Sequence, residues 1–302
     1  MYKKLLSKID KRLITGLVLL LLTIISVEIY ATQLIPDVRK VFFNVLERRA
    51  ADELSYGLML FASVLVVLIL TQGFKSYVAR LTALEVRKSL SKVLLKSWVQ
   101  SGKIKGATNP DQRIAEDCNL ATDAAIKVAL EFVISAALVV VLLIGSKNNP
   151  HILYSSLIYT VIVVLGAGLF RRRLVDVNNH VKVREANYRT SLVKIHMDNG
   201  DFTAKENFRE LVLSIKSYLK TSFFFTLFSV SQNQFSIFVP WLILTPKLFA
   251  GEIDFGTFMQ DVAIFELIVI NSTIAVQMYP EITKAEAAWI RITEFYNNVK
   301  DE

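Results

Sequence analysis

The sequence predicts an all-α membrane protein in which six transmembrane helices carry long helical extensions into the cytoplasm, and three observations support this fold class. Hydrophobic residues make up 53% of the 302 positions and mean hydropathy is +0.43, more apolar than a soluble domain of ordinary composition. Apolar runs long enough to cross about 30 Å of hydrocarbon recur from end to end, at about 13–30, 54–70, 129–145, 152–170, 223–244 and 258–278. With a cytoplasmic N-terminus, segments 1–12, 71–120, 171–222 and 279–302 hold 28 of the 35 Lys and Arg residues, and the three external segments hold six. That asymmetry follows the positive-inside rule and places both termini in the cytoplasm. The net charge of +8 therefore reports topology, and no nucleic-acid partner is expected.

Span one follows Lys3, Lys4, Lys8, Lys11 and Arg12, the flank of a signal peptide. Its apolar core is too long for one, and Glu28-Ile29-Tyr30 offers no small-x-small cleavage site, so it reads as a retained anchor with Glu28 near its outer end. A long external connection, 31–53, leads to span two. Beyond that span, Phe74, Tyr77, Val78, Leu81, Leu84, Leu94 and Trp98 keep helical spacing, which extends the helix well into the cytoplasm. Gly102–Pro110 breaks it.

The next helix opens on Asn109-Pro110-Asp111-Gln112-Arg113-Ile114-Ala115-Glu116-Asp117. Pro110 presets a turn, Asn109 or Asp111 is a candidate cap, and Arg113 stands at helical spacing from Glu116 and Asp117. Entering span three, Asp123, Lys127 and Glu131 recur four residues apart on one face, the spacing of an intrahelical ion ladder. The short Ser146–Pro150 link makes spans three and four an antiparallel hairpin. Arg171–Lys220 is charged and helix-compatible, with Gly200 as its break.

Span five carries Ser229, Ser231, Gln232, Asn233 and Gln234, and three adjacent amides cannot all face lipid without losing hydrogen bonds. They either bond a neighbouring helix or line a wet cavity. Phe223–Phe225 reads as an interfacial or lipid-facing belt. In span six, Asp261 lies nearer the external surface, where hydration would suffice. Glu266 has no opposite charge in its own helix, with Thr273 and Gln277 roughly below it, and an unpaired carboxylate inside a span is functional by default.

Several classes are excluded. One cysteine, Cys118, allows no internal disulfide and no cysteine-based metal cluster. His151, His180 and His196 lack zinc-type spacing, so neither metal nor cofactor is expected. No G-x-x-x-x-G-K-S/T string occurs, so phosphate binding by a Walker A loop is not expected from these residues, and the chain reads as a transporter rather than an enzyme.

The nine residues Asn109–Asp117 closely resemble the signature of one ABC transporter subfamily, which groups SbmA/BacA-type peptide transporters, related bacterial ABC proteins and peroxisomal fatty-acyl transporters of the adrenoleukodystrophy type. Further stretches agree in the family's order. Phe42-Phe43-Asn44-Val45-Leu46 is similar to the segment after its first span, and Leu84-Glu85-Val86-Arg87 with Leu95-Lys96-Ser97-Trp98 to its cytoplasmic helix. Arg184-Glu185-Ala186-Asn187-Tyr188-Arg189 with Leu192-Val193 resembles its later cytoplasmic motif. Pro240, Pro246, Phe249-Ala250-Gly251-Glu252-Ile253 and Phe258-Met259-Gln260 resemble its stretch before and into span six.

The resemblance implies the six-helix ABC exporter-type transmembrane fold as one domain over 1–302, with no nucleotide-binding domain after Trp289–Tyr296, which is similar to the family's exit helix. It implies a homodimeric, SbmA/BacA-like importer of peptides or similar amphipathic solutes in the bacterial inner membrane, driven by protons through alternating access. Proton coupling needs carboxylates at membrane depth. Glu266, Glu131, Asp261 and Asp123 are the candidates, with Gln232, Asn233, Gln234 and Gln277 as cavity-lining amides. Residues Asn109, Pro110, Asp111, Gln112, Arg113, Glu116, Asp117, Arg184, Glu185 and Arg189 are expected to hold the cytoplasmic fold and its switching together. Two alternatives stand beside this: a transmembrane subunit whose ATPase is a separate chain docking near these motifs, and a non-transporting scaffold or remnant.

Overall fold

A computed structural model of the chain describes residues 11–100, 110–146, 149–198 and 203–300. Every regular element among them is helical. The helices are α1 (Lys11–Glu47), α2 (Leu54–Gln100), α3 (Pro110–Gly145), α4 (Pro150–Asp198), α5 (Thr203–Phe249), α6 (Phe255–Ser272), the single turn α7 (Ile274–Gln277) and α8 (Tyr279–Lys300). Six of them, α1 to α6, are long and apolar enough to cross a membrane.

Length explains the extensions. At about 1.5 Å per residue, the 47 residues of α2 reach about 70 Å, more than twice the hydrocarbon thickness. The predicted continuation of span two beyond Phe74 is thus a single helix to Gln100, although its buried side is Val78, Thr82, Ala83, Ser89, Leu90, Val93 and Leu94. Phe74, Tyr77 and Leu84 of the predicted stripe are exposed. Of the predicted break at Gly102–Pro110, Pro110 opens α3, while the rest of it and Gly200 lie outside the described residues.

The long external loop expected over 31–53 is mostly helix. Helix α1 continues to Glu47 with Pro36 inside it, and only Arg48–Glu53 turns the chain. That turn is built by a left-handed cap: Arg49 has φ 55°, and the Ala50 N–H donates to the Val45 carbonyl at 3.2 Å. Helix α5 ends the same way, with Gly251 at φ 74° and the Glu252 N–H donating to the Lys247 carbonyl at 3.0 Å. Glu28 sits 19 residues before Glu47, about 30 Å along α1 from the α1–α2 turn.

Span six is shorter than predicted. Helix α6 stops at Ser272, where Thr273 Oγ1 donates back to the Val269 carbonyl at 2.8 Å and Asn271 Nδ2 to the Leu267 carbonyl at 2.8 Å. Pro280, which has no N–H to donate, then falls in the first turn of α8, where a helix tolerates it. Gln277 consequently lies on the separate turn α7, exposed and donating to the Ile270 carbonyl.

By its internal packing the chain divides into Met1–Leu153 with Leu244–Glu302, and Tyr154–Ile243. In the first unit, α1 packs along α2 and α6, and α3 packs against α2, α6 and α8. Its apolar core has two parts. Ile25, Ile134, Leu138, Leu142 and Ile268 join α1, α3 and α6, while Leu90, Leu94, Cys118, Ala121, Ala288, Ile292 and Phe295 join α2, α3 and α8. In the second unit, the α4–α5 pair closes over Gly166, where a Cβ would stand 2.6 Å from the Phe228 ring, and Phe170 contacts both Phe225 and Phe228.

Candidate functional site

Within the first unit, polar side chains gather at three levels, each bridging helices far apart in sequence. The first lies between α1, α2 and α3. Glu28, only 5% exposed, accepts from Lys75 Nζ at 2.8 Å through Oε1, and its buried Oε2 has no hydrogen-bond partner. Lys75 Nζ also stands 3.5 Å from Glu131 Oε1. One ammonium therefore serves two carboxylates. Glu131 faces a pocket of about 240 Å³ whose wall also holds Lys75, Arg80, Asp123 and Lys127.

This geometry corrects the expected ion ladder along α3. Lys127 pairs with Glu281 of α8 at 3.7 Å, and Glu131 pairs with Lys75 of α2, so the bonds run between helices rather than along one. Asp123 shares the pocket wall with them and is exposed. Spacing placed these side chains on one face correctly. It could not show that neighbouring helices present better-placed partners.

The second level joins α1 to α6. Arg39 Nη1 donates to Glu266 Oε2 at 3.3 Å, so the carboxylate read as unpaired has its cation on another helix. Asp261 is 4% exposed and accepts from Asn149 Nδ2 at 2.8 Å, which replaces the expected hydration by a buried hydrogen bond. Gln260 donates to Asp37 at 2.7 Å. Nearest the turns, Asn44 donates from Nδ2 to Asp254 at 3.1 Å and accepts at Oδ1 from the Gly256 N–H at 2.8 Å. Asp254 in turn caps α6, accepting from the Thr257 N–H at 2.6 Å. A hydrogen bond from the Thr257 side chain is the largest effect holding the Asp254 carboxyl below its usual range, against the smaller opposing effect of burial. The Phe42–Leu46 motif and the Phe249–Gln260 motif thus meet in space.

The third level is a clamp at Asp117. Helix α3 contains a wide π-turn over Arg113–Asp117 that delivers Asp117 to the interior at 2% exposure. Its Oδ1 accepts from Arg291 Nη2 at 2.6 Å, and its Oδ2 accepts from Arg291 Nε at 3.0 Å and from Arg113 Nη1 at 2.7 Å. Burial alone would raise this carboxyl, but the hydrogen bonds and charges of Arg291 and Arg113 outweigh it and hold it below the ordinary value of 3.8. The bond to Asp117 in turn raises the Arg291 guanidinium, so the pair stays charged. Burial beside it pushes the Cys118 thiol up to about 11, leaving an inert packing residue.

Arg113 thus chose Asp117, while Glu116 accepts from Gln112 at 3.2 Å. Asp111 is no cap, because α3 already begins at Pro110, and Asn109 lies outside the described residues. Neighbouring turns reinforce the clamp: Arg87 of α2 donates to the Ala115 carbonyl and to Asn119, each at 3.0 Å.

In the second unit, Gln232 is buried and its backbone carbonyl accepts from the Tyr159 hydroxyl at 2.6 Å, while Asn233 and Gln234 are exposed. Arg184 pairs with Glu210 across the α4–α5 pair beside the Tyr188–Phe208 ring contact. Glu185 and Arg189 are exposed. Arg39, Lys75, Arg291 and Gly256 were missed by sequence reasoning because all four lie outside the predicted spans, where a basic residue or a glycine reads as part of a solvated connection.

In the first unit, charged side chains thus bridge α1, α2, α3 and α6, and a buried clamp ties α3 to α8. Residues 1–249, most of the chain, match the family described as ABC transporter transmembrane region 2. The chain belongs to that family. Among its relatives, the inner membrane ABC transporter ATP-binding protein YddA of Escherichia coli (strain K12) is 23% identical over 96% of this chain and 57% of its own length. An uncharacterised ABC transporter ATP-binding protein of Synechocystis is 26% identical over 63% of the chain and 31% of its own length. The chloroplastic ABC transporter D family member 2 of Arabidopsis thaliana is 24% identical over 84% and 38%. The chain therefore spans well under two thirds of each relative. In this ABC transmembrane region, α1 to α6 supply the multi-pass membrane body, and the Asp117 clamp supports the α3–α8 end.

Proposed function

We propose that this chain is the membrane-spanning part of an ABC-type transporter that moves peptides or similar amphipathic solutes through a polar interior, powered by a nucleotide-binding domain acting on the α3–α8 end. The observation that carries this reading is the Asp117 clamp. It joins the helix opening on the Pro110–Asp117 motif to α8, the last helix described, through a buried bidentate ion pair. An ATPase that displaced α8 would move α3 with it. The relatives support the energy source, since two of them are named ATP-binding proteins.

A second chain of the same kind is part of the proposal. Asn233 and Gln234 expose amides midway along span five, where lipid offers no hydrogen bond, and a homodimer would cover them. The bacterial inner membrane is the proposed location, with both termini cytoplasmic, in keeping with the charge asymmetry and the location in the name of the Escherichia coli relative. An SbmA/BacA-like, proton-driven import cycle is the second reading. It is favoured by the Glu28–Lys75–Glu131 cluster, in which a carboxylate oxygen is buried without a partner.

Uptake of a labelled peptide into proteoliposomes tests both. The first reading expects uptake with ATP and an ATPase partner and none from an imposed pH gradient alone. Uptake that follows the gradient without nucleotide would overturn it in favour of the second. No uptake under either condition would point to a non-transporting scaffold.

A further inference from the structure

We propose that the pocket between α2 and α3 holds the zwitterionic headgroup of a membrane phospholipid, a phosphate beside a primary ammonium, with an acyl chain laid along α2. Charge complementarity carries the argument. Of the ionised groups in the wall, Lys75 is held by Glu28 at 2.8 Å and by Glu131 at 3.5 Å, and Lys127 by Glu281 of α8 at 3.7 Å. Arg80 of α2 and Asp123 of α3 remain, and neither has an ion-pair or hydrogen-bond partner among the described residues. One wall thus offers an uncommitted cation and the other an uncommitted anion, both exposed beside the same small volume. A ligand that satisfies both carries an anion and a cation of its own. A guanidinium pairs with two oxygens of a phosphate, and a carboxylate accepts from an ammonium.

Size and depth choose among zwitterions. A volume of about 240 Å³ lies below the roughly 300–1,000 Å³ of a pocket that encloses a drug-sized ligand, so it takes a headgroup or a single amino acid rather than a peptide. Its α2 wall, from Lys75 to Arg80, follows the apolar run 54–70, and Asp123 and Lys127 precede the run 129–145. That sets the pocket at headgroup level, whichever way the chain is oriented. From it toward the membrane centre, Ser76, Gln72, Ile69 and Leu65 recur at helical spacing on one face of α2, and Ile69 and Leu65 are 68% and 42% exposed. An acyl chain covers that apolar surface, and a free amino acid has nothing to place there. The site requires only that the chain spans a membrane, so it stands apart from peptide transport and its energy source.

Native mass spectrometry of the full chain released from detergent micelles counts the lipids it retains. Offered equal amounts of phosphatidylethanolamine and phosphatidylglycerol with matched acyl chains, the wild type is expected to retain the former, one per chain. The preference over phosphatidylglycerol, which brings a phosphate but no ammonium, should be about tenfold, the worth of one charge-assisted hydrogen bond. Asp123→Asn should abolish the preference while still retaining phosphatidylglycerol, a change that misfolding would not produce. Arg80→Gln should lower retention of both lipids about tenfold. A wild type that retains the two lipids equally would overturn the proposal, as would a preference that survives Asp123→Asn or retention unchanged in Arg80→Gln. Soluble competitors separate the sources of the zwitterion. Glycerophosphoethanolamine and free alanine, each at the lipid's own concentration, are expected to leave the lipid bound. Displacement by either would overturn the lipid assignment in favour of a soluble zwitterion.

Discussion

At Asp117 three donated hydrogen bonds outweigh burial, and the consequence for stability has a definite sign. A carboxyl held below its ordinary value of 3.8 in the folded state stabilises the fold above that value and loses the contribution as pH falls through its lower folded value. The stability difference between wild type and Asp117→Asn is therefore expected to stay level from neutral pH down to about pH 4 and to shrink only below it. At neutral pH the difference should be about 2–3 kcal/mol, below the full cost of breaking a buried pair because the Arg291 side chain is 37% exposed. Thermal unfolding in nanodiscs across pH measures it, and a difference that declines from neutral pH downward would sink the argument. Spacing made the Arg113–Asp117 pair legible. It could not reveal Arg291, 174 residues later, because a guanidinium on an amphipathic helix reads equally well as a solvated surface group.

Among the helices, α6 docks through a glycine in its first turn. Its first turn lies so close to α1 that a Cβ on Gly256 would stand 2.2 Å from Asn44 Oδ1 and 2.3 Å from the Lys40 carbonyl. Since Lys40 offers backbone rather than a movable side chain, Gly256→Ala is expected to push α6 away and break the Asn44 and Glu47 bonds to its first N–H groups. A loss of about 1–3 kcal/mol should follow. A variant that unfolds at the wild-type temperature would contradict this contact. The helices themselves were legible from apolar run length, but their ends were not. Helix α1 ran through a stretch read as loop because Thr32, Gln33, Asp37, Arg39 and Lys40 face α2, α6 or water in a continuous helix, and polarity alone does not distinguish that from a connection.

For the whole molecule, the charge asymmetry and the turns make a joint prediction about topology. The turns Arg48–Glu53 and Ala250–Asp254 are expected on one side of the membrane, and α8 with the Pro110–Asp117 turn on the other. In a Cys118→Ala background, single cysteines at Asp52 and Glu252 should react with an impermeant thiol reagent added outside intact cells, and one at Glu294 should react only after permeabilisation. Labelling of all three from outside would overturn the orientation. Changing Cys118 itself is expected to weaken packing only, since its thiol is fully buried among Leu90, Ala121 and Ile292.

Run length, hydropathy and the distribution of Lys and Arg by themselves determined six spans, their order and the expected orientation, because the cost of placing charge or unpaired backbone in hydrocarbon acts on each segment locally. The motif strings pointed to the broader ABC transporter transmembrane family. Which charges meet was decided only by tertiary structure: Lys75 between Glu28 and Glu131, Arg39 on Glu266, Arg291 on Asp117. A salt bridge requires a few ångströms of proximity, and residues 47, 227 and 174 positions apart gain it only when packed helices bring their faces together.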